Sequence, residues 1–469
     1  MPEGPDRTEF DVVVLGAGSG GYACALRAAQ LGLSVALVEK DKLGGTCLHV
    51  GCIPTKALLH AAEVADSARE SEKFGVRATL EGVDMPGVNA YKDGVVGRLH
   101  KGLAGLIQGR GITVVEGTGR LSGPRAVSVD HPTDSGRATV YTASRAVVLA
   151  SGSYSRSLPG LEIDGRQVLS SEHALRLESV PASVIVLGGG VIGCEFASVW
   201  RSFGAEVTII EALPHLLALE DEASSKALER AFRKRRIAFK TGARFDSVTS
   251  TESGVTVTVA DGSTYDAELL LVAVGRGPTT DGLGYAEQGV AMERGFVLTD
   301  DRCRTNVEGI YAVGDIVPGL QLAHRGYQQG VFVAEEIAGL SPQPIDETGI
   351  PRVTYSDPEV ASVGLTEEQA RARHGAVESL TYDLGGNGKS QILATQGFVK
   401  LVRVVDGPVV GVHLVGARVG ELIGEAQLIC NWEAFPDDVA PFVHAHPTQN
   451  EALGEAHLAL AGKPLHAHS

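Results

Sequence analysis

One pattern of glycines and an acid occurs twice in this chain, and no other feature restricts the fold as much. The first copy, "DVVVLGAGSGGYACALRAAQLGLSVALVEK", begins at Asp11. A β-branched run ends in glycines, an Ala-rich stretch follows, and a second apolar run ends on an acid. This is the order of a strand, a helix and a second strand built to hold a dinucleotide. Gly16 permits the tight turn. Gly18 lets the backbone approach a pyrophosphate at the helix N-terminus, and Gly21 lets helix and strand pack closely. Glu39 is placed to accept hydrogen bonds from a ribose. The second copy, "SVIVLGGGVIGCEFASVWRSFGAEVTIIEA", begins at Ser183 and repeats the plan with Gly188, Gly190, Gly193 and Glu211. The acid stands 23 residues after the first glycine in both copies. A lone glycine motif marks many ordinary turns, but two complete copies with matched strands, helices and acids predict two dinucleotide sites. An acid at Glu211 suits the ribose hydroxyls of NAD and repels the extra phosphate of NADP. The residues that follow, "ALPHLLALED", contain no Arg or Lys to hold that phosphate.

The bulk numbers set the frame around this repeat. A chain of 469 residues exceeds one compact core and predicts two to four domains. A net charge of −16 argues against a nucleic-acid partner. No run approaches the length of a membrane span, and the first ten residues lack the apolar stretch of a signal peptide. The expected location is therefore the cytoplasm, where thiols stay reduced and a disulfide reads as catalytic rather than structural. After the repeat, "GIYAVGDIVPGLQLAHRGYQQGVFVAEEIAG" (309–339) predicts a strand, an Asp after Gly, a loop and a long helix. The segment 340–351 is a linker, and the remainder alternates apolar runs with helical stretches, as an α+β module does.

The chain has six cysteines, and two of them fall together in "GGTCLHVGCIPTKA" (44–57). On a regular helix, Cα atoms five residues apart lie roughly 8.6 Å apart, and a disulfide needs no more than about 7 Å. Cys47 and Cys52 can therefore bridge only across irregular backbone, for which Gly51 is the permissive residue. Pro54 suits the first turn of a following helix. Cys52 is then expected just before that helix, where the positive end of the dipole favours a thiolate. Lys56 adds positive charge on the same face. A zinc site fits poorly, because no second Cys/His pair lies nearby. The pair is read as redox-active and no metal is expected. Cys24, Cys194, Cys303 and Cys430 read as small buried apolar residues.

Two nucleotide repeats, "GGTCLHVGCIPTK", "AVGD" and a late "HAHPTQNEALGE" resemble the pyridine nucleotide–disulfide oxidoreductases, and among them the dihydrolipoyl dehydrogenase branch. The resemblance covers nearly the whole chain in order. It implies an α/β fold with two Rossmann-like domains, for FAD and NAD, plus an α+β C-terminal dimerisation domain. The implied boundaries are 1–152 (FAD-binding), 153–281 (NAD-binding), 282–350 (central) and 351–469 (interface). Cys47 would be the interchange thiol and Cys52 the charge-transfer thiol against the flavin. Lys56 would lie near the flavin and pair with Glu195. FAD contacts would come from Gly16, Gly18, Gly21, Glu39 and Lys40, from Gly45 and Thr46, and from Gly119, Ser151, Gly152 and Ser153. Asp315 would hold the ribityl chain, and Gln321, Leu322, Ala323 and His324 would meet the flavin's pyrimidine edge. NAD contacts would come from Gly188, Gly190, Val191, Ile192, Gly193, Glu195, Glu211 and Gly275.

His446 would be the acid–base catalyst, oriented by Glu451 and acting on the cysteine pair of the other subunit of a homodimer. The chemistry agrees, since a dithiol must lose a proton to attack and His titrates where that is useful. His444 reads as a structural neighbour. The implied activity is oxidation of dihydrolipoyl groups on acyltransferase subunits of 2-oxoacid dehydrogenase complexes, or on a glycine cleavage carrier protein. The alternative is reduction of a low-molecular-weight disulfide of the mycothiol or glutathione type. Three places depart from the family's usual pattern. Ser151 stands for Thr in a strand-end "ATG", Gln449 and Asn450 replace an apolar and a small residue, and Gln329 replaces an acid.

Overall fold

The computed structural model describes residues 7–132, 138–252 and 254–466. It divides into two compact units. The first comprises Met1–Ala57, Asn89–Arg156 and Gly275–Ile345. The second comprises Leu58–Val88, Ser157–Val274 and Asp346–Ser469.

The first unit is built on a seven-stranded sheet. Its parallel part runs Thr113–Glu116, Val35–Glu39, Glu9–Leu15, Ala138–Leu149 and Ile310–Ala312. Ala126–Asp130 and Thr118–Gly123 extend it as antiparallel strands. The strand Glu9–Leu15 shows why both faces are covered. Val13 and Leu15 enter one apolar cluster, whereas Val12 and Val14 enter the other. Side chains of a strand alternate between faces, so a run of β-branched residues with no polar break requires packing on both sides. Helix Ser19–Gln30 covers one face together with Phe332, Val333 and Ala334 of helix Ala323–Ile337. Arg27 in the last turn of the first helix pairs with Glu335 of the second at 2.6 Å.

The second unit contains a five-stranded parallel sheet in the order Ile237–Lys240, Glu206–Ile210, Ser183–Leu187, Leu269–Val272, Val168–Leu169. Helix Val191–Phe203 follows its central strand, and from Gly193 onward only Arg201 escapes burial. A three-stranded antiparallel sheet, Phe245–Thr251, Gly254–Val259 and Thr264–Ala267, shares a core with the parallel one. The C-terminal part of this unit is a five-stranded antiparallel sheet. Helices Val419–Asn431 and Glu451–Leu460 pack on it through Ile423, Ala426, Leu453 and Ala456. These elements are the two repeats and the α+β module expected from the sequence. No helix among the described residues is long and apolar enough to cross a membrane.

Candidate active site

The first glycine loop has the steric form its sequence demands. Gly16 has φ +104°, and a Cβ there would stand 2.3 Å from the Ala150 carbonyl oxygen. A Cβ on Gly21 would stand 1.8 Å from the Gly16 oxygen. Gly18, by contrast, is open, with nothing within 4 Å, and it caps helix Ser19–Gln30 without any side-chain hydrogen bond. That leaves room and free amides for an anionic group at a helix N-terminus. Glu39 closes the loop, with one oxygen accepting from the Ala17 amide at 2.8 Å and the other from the Asp41 amide at 2.9 Å. Lys40 beside it is exposed.

The thiol segment packs directly on this loop. The Gly44 amide donates to the Ala17 carbonyl at 2.9 Å. A Cβ on Gly45 would come within 2.7 Å of the Gly18 Cα. Thr46 and Cys47 lie in the short helix Gly45–His49, which ends at Val50. Cys52 opens a second helix, Cys52–Arg69. The backbone between the thiols is thus irregular, as the spacing required. Cys52 is the first residue of its helix rather than the residue before it. Gly51 acts as the cap, its carbonyl accepting from the Thr55 amide at 3.1 Å and hydroxyl at 2.6 Å. A Cβ at 51 would stand 3.0 Å from the Thr46 oxygen, a tight fit at the join of the two helices. Both cysteines are half-buried free thiols, and each interacts with the other. The hydrogen bond with Cys52, then burial, push the Cys47 thiol well above its ordinary range, whereas Tyr327 and Lys56 pull it down.

Further residues expected at the cofactor site lie in the same unit. The Ser153 hydroxyl donates to Asp315 and receives the Arg276 guanidinium at 2.8 Å. The Gln321 amide donates to the Asp315 carbonyl at 3.3 Å. Leu322 caps the helix that Ala323 and the exposed His324 begin. Ser151, despite replacing Thr, keeps the hydroxyl function: it donates to the Thr279 carbonyl at 2.6 Å and meets the Tyr285 hydroxyl at 2.9 Å. Gly152 has φ +76° beside it. Gly119 needs to be glycine for packing, since a Cβ would meet Leu15 at 2.5 Å. Gly275 has φ +104° with open space around it.

The second unit repeats the loop. Gly188 has φ +110°, with a virtual Cβ 2.3 Å from the Ala273 oxygen, and Gly193 would meet the Gly188 oxygen at 1.9 Å. Gly190 is open, Val191 is exposed and Ile192 half-buried at the start of the helix. Glu211 accepts from the Gly189 amide at 2.5 Å and the Leu213 amide at 2.7 Å. Glu195 is 2% exposed, and its carboxylate accepts from the Tyr355 amide at 3.0 Å. Lys56 belongs to the first unit and Glu195 to the second.

His446 lies in the C-terminal part of the second unit, 78% exposed, with its Nδ1 2.8 Å from Glu451 Oε1. The other oxygen of Glu451 accepts from the Thr448 amide at 2.8 Å. Burial raises the Glu451 carboxyl, but the Thr448 amide and His446 outweigh it and leave it below the ordinary range. The carboxylate is thus ionised and fixed on two sides, as a group that orients an imidazole must be. A second pair stands beside it: His444 Nε2 is 2.8 Å from Glu425, which also accepts from Asn450. Glu425 raises the pKa of His444. The Asn450 departure therefore serves to hold the neighbouring pair.

Known proteins settle the family. Residues 10–330 match the pyridine nucleotide-disulphide oxidoreductase pattern, and residues 350–457 match the dimerisation domain of the same group. The chain belongs to the pyridine nucleotide-disulphide oxidoreductase family. It is 42% identical over 471 residues to a dihydrolipoyl dehydrogenase of Bacillus subtilis, covering 98% of this chain and 99% of that one. It is 40% identical to mitochondrial dihydrolipoyl dehydrogenase 1 of Arabidopsis thaliana, covering 98% and 92%. Among solved structures, LpdA from Mycobacterium tuberculosis superposes with a TM-score of 0.89 at 27% identity, over 97% of this chain and all (100%) of that one. The HOCl-induced flavoprotein disulfide reductase RclA of Escherichia coli gives a TM-score of 0.87 at 25% identity, over 97% and 100%.

As a pyridine nucleotide-disulphide oxidoreductase, the chain has a flavin and a pyridine nucleotide as its implied cofactors. The open positions at Gly18 and Gly190, each at an uncapped helix N-terminus, fit two pyrophosphates. Sequence reading missed two groups here. The Arg276–Ser153 contact depends on strand Ser153–Ser155 pairing with Arg276–Pro278 far along the chain. Tyr22 and Tyr327 meet ring to ring, with centroids 5.5 Å apart, though each sits in a motif singled out for other residues. Of the isolated cysteines, Cys24, Cys194 and Cys303 are buried as expected, while Cys430 is only half-buried.

Proposed function

We propose that the protein oxidises dihydrolipoyl groups to lipoyl and passes the electrons to NAD⁺. The observation that carries this reading is the Cys47–Cys52 thiol pair, each thiol interacting with the other, on a segment packed on the first glycine loop, with Lys56 one turn into the following helix. The relatives named dihydrolipoyl dehydrogenase, at 37 to 42% identity over nearly the full chain, support the substrate class. FAD is assigned to the first loop because the thiol segment touches that loop. NAD is assigned to the second because Glu211 disfavours a ribose phosphate. When bound, these groups supply the two-electron transfer between dithiol and pyridine nucleotide.

The residues of this chain bind, orient and move protons. Cys47 meets the substrate sulfur and Cys52 faces the flavin. Thiol–disulfide exchange at Cys47 leaves the pair reduced, and His446, fixed by Glu451, takes the substrate thiol proton. His446 would serve the cysteine pair of a second copy, which makes a homodimer part of the proposal. Three observations support that arrangement: His446 is exposed, residues 350–457 match the dimerisation domain, and Phe442 and Val443 lie bare beside it at 69% and 98% exposure. Lys56 and Glu195 are proposed to pair near the flavin, and Asp315 to hold its ribityl chain. The four-part division at 152, 281 and 350 is kept as the proposed domain plan. Lipoyl-bearing acyltransferases or a glycine cleavage carrier protein are the proposed partners.

The test is NAD⁺ reduction by dihydrolipoamide, followed at 340 nm in about neutral buffer, for the wild type and Cys47→Ser. Turnover by the wild type, lost by at least about a thousandfold in the variant, is the expected result, as for removal of a nucleophile. Turnover with mycothiol or glutathione disulfide and none with dihydrolipoamide would assign the alternative substrate class.

A further inference from the structure

His446 is carried by irregular chain. Residues 440–450, between helices Pro436–Val439 and Glu451–Leu460, form neither helix nor strand. The His446 side chain is largely exposed, so it has little packing of its own beyond the contact with Glu451. Both flanks of the pair are nevertheless fixed, and to the same group. Two residues before His446, His444 Nε2 lies 2.8 Å from Glu425 Oε1. One residue before Glu451, the Asn450 amide donates to Glu425 Oε2. Asn450 stands at the cap position of helix Glu451–Leu460, yet its side chain makes no cap hydrogen bond and turns to Glu425 instead. The His444 ring also rests on that helix, since a Cβ on Gly454 would stand 2.5 Å from His444 Nδ1. Glu425 belongs to helix Val419–Asn431, which Ile423 and Ala426 pack into the core of the C-terminal module. A carboxylate on a rigid helix thus ties down an irregular segment at two points.

We infer that Glu425 is a positioning residue for His446: by holding His444 and Asn450 at once, it fixes the segment between them and with it the placement of the imidazole. The inference rests on the acid–base role proposed above for His446. No bond changes at Glu425, and the proton of the substrate thiol goes to His446 alone. A base must stand within hydrogen-bond reach of the proton it takes, and a misplacement of about 1 Å can cost a hundredfold in rate. An exposed side chain on irregular backbone is the case in which such bracing matters most.

The electrostatics suit a fixed anchor. Burial raises the Glu425 carboxyl, but His444 and Asn450 outweigh it and leave it below the ordinary range. Glu425 in turn raises His444, so the contact between them is charge-assisted. Burial lowers His457 against the pull of Glu425, and its Nδ1 serves the Leu453 carbonyl at 2.6 Å. That imidazole stays neutral and leaves the carboxylate to His444 and Asn450. Glu451 is engaged separately, by His446 and the Thr448 amide. The small residue usual at position 450 in the family lacks the amide, so the second tether is a feature of this chain.

The experiment uses the full-length holoenzyme as wild type, Glu425→Gln, His446→Gln and the double variant. With dihydrolipoamide and NAD⁺, Glu425→Gln is expected to lower kcat roughly tenfold and to leave KM within about twofold. Oxidation of NADH by ferricyanide takes electrons from the flavin without thiol exchange, and there Glu425→Gln should stay within about twofold of wild type. In the His446→Gln background, Glu425→Gln should lower kcat by less than about twofold, because no imidazole is left to position. Asn450→Ser cuts one tether and keeps the charge pair. It should lower kcat about threefold and be equally silent in the His446→Gln background, which tests the inference even if Glu425→Gln does not fold. Additive losses from Glu425→Gln and His446→Gln overturn the inference. So do an unchanged kcat in Glu425→Gln and parallel losses with dihydrolipoamide and ferricyanide. A His446→Gln variant with unaltered kcat instead sinks the acid–base reading on which the inference stands.

Discussion

Gln329 stands in a helix position where the family usually carries an acid, and the structure shows what it does there. It is 4% exposed, and its side-chain oxygen accepts from the Gly314 amide at 2.8 Å. That amide belongs to the "AVGD" turn that positions Asp315. A carboxamide supplies the acceptor without burying a charge, which a low-dielectric site disfavours. Gln329→Leu leaves the amide unpaired and should lower unfolding free energy by about 1–3 kcal/mol in urea titrations. Ser151 follows the same logic, since the hydroxyl is retained and only a methyl is lost. Departures of this kind are visible in the sequence, but their harmlessness is not, because the partner of each lies far away along the chain. The glycine loops are in part the opposite case. Gly21 and Gly193 are legible because a Cβ there would clash with the Gly16 or Gly188 oxygen of the same short motif, whereas the clashes at Gly16 and Gly188 are with Ala150 and Ala273 far along the chain.

At the scale of elements, the crossing of helices Ser19–Gln30 and Ala323–Ile337 brings two distant segments of the first unit into backbone contact. Gly330→Ala puts a methyl 2.3 Å from the Gly20 oxygen, so the helices must separate. Overpacking of this type should cost about 1–3 kcal/mol, read as a lower thermal midpoint, and should also loosen the Tyr22–Tyr327 contact. The sequence displays both helices, yet it does not show that they meet, because some 300 residues separate Arg27 from its partner Glu335. The His446–Glu451 pair was readable for the converse reason. Five residues apart at a helix start, the two side chains have little choice but to meet. The thiol segment lies between these cases. Its spacing demanded irregular backbone, and the structure supplies two separate helices. The spacing alone does not show that Cys52 is the first residue inside the second helix, because Gly51, not Cys52, caps it.

At the scale of the whole molecule, the second unit buries a charged group of residues with no evident catalytic part. Lys400 lies 2.8 Å from Asp221 and 2.9 Å from Glu367, both acids held ionised. Fully buried His413 adjoins them, its Nε2 3.0 Å from the Leu365 carbonyl. Burial, against the pull of Asp221, lowers His413 from 6.5 to about 4. The folded protein thus binds this proton less readily than the unfolded chain. The stabilisation is present above pH 6.5 and is lost as pH falls through 4. Unfolding free energies at pH 7 and pH 4 should differ by about 3 kcal/mol more in the wild type than in His413→Gln. The two glycine loops carry a different lesson for the molecule. Glu39 and Glu211 each tie one amide of the glycine loop to the amide two residues beyond the acid, besides their proposed role toward a ribose. Coenzyme preference and the stiffness of the cradle are therefore inherited together. An engineer who replaces Glu211 to admit a phosphorylated coenzyme also unfastens the loop, and a successful redesign must bring its own brace.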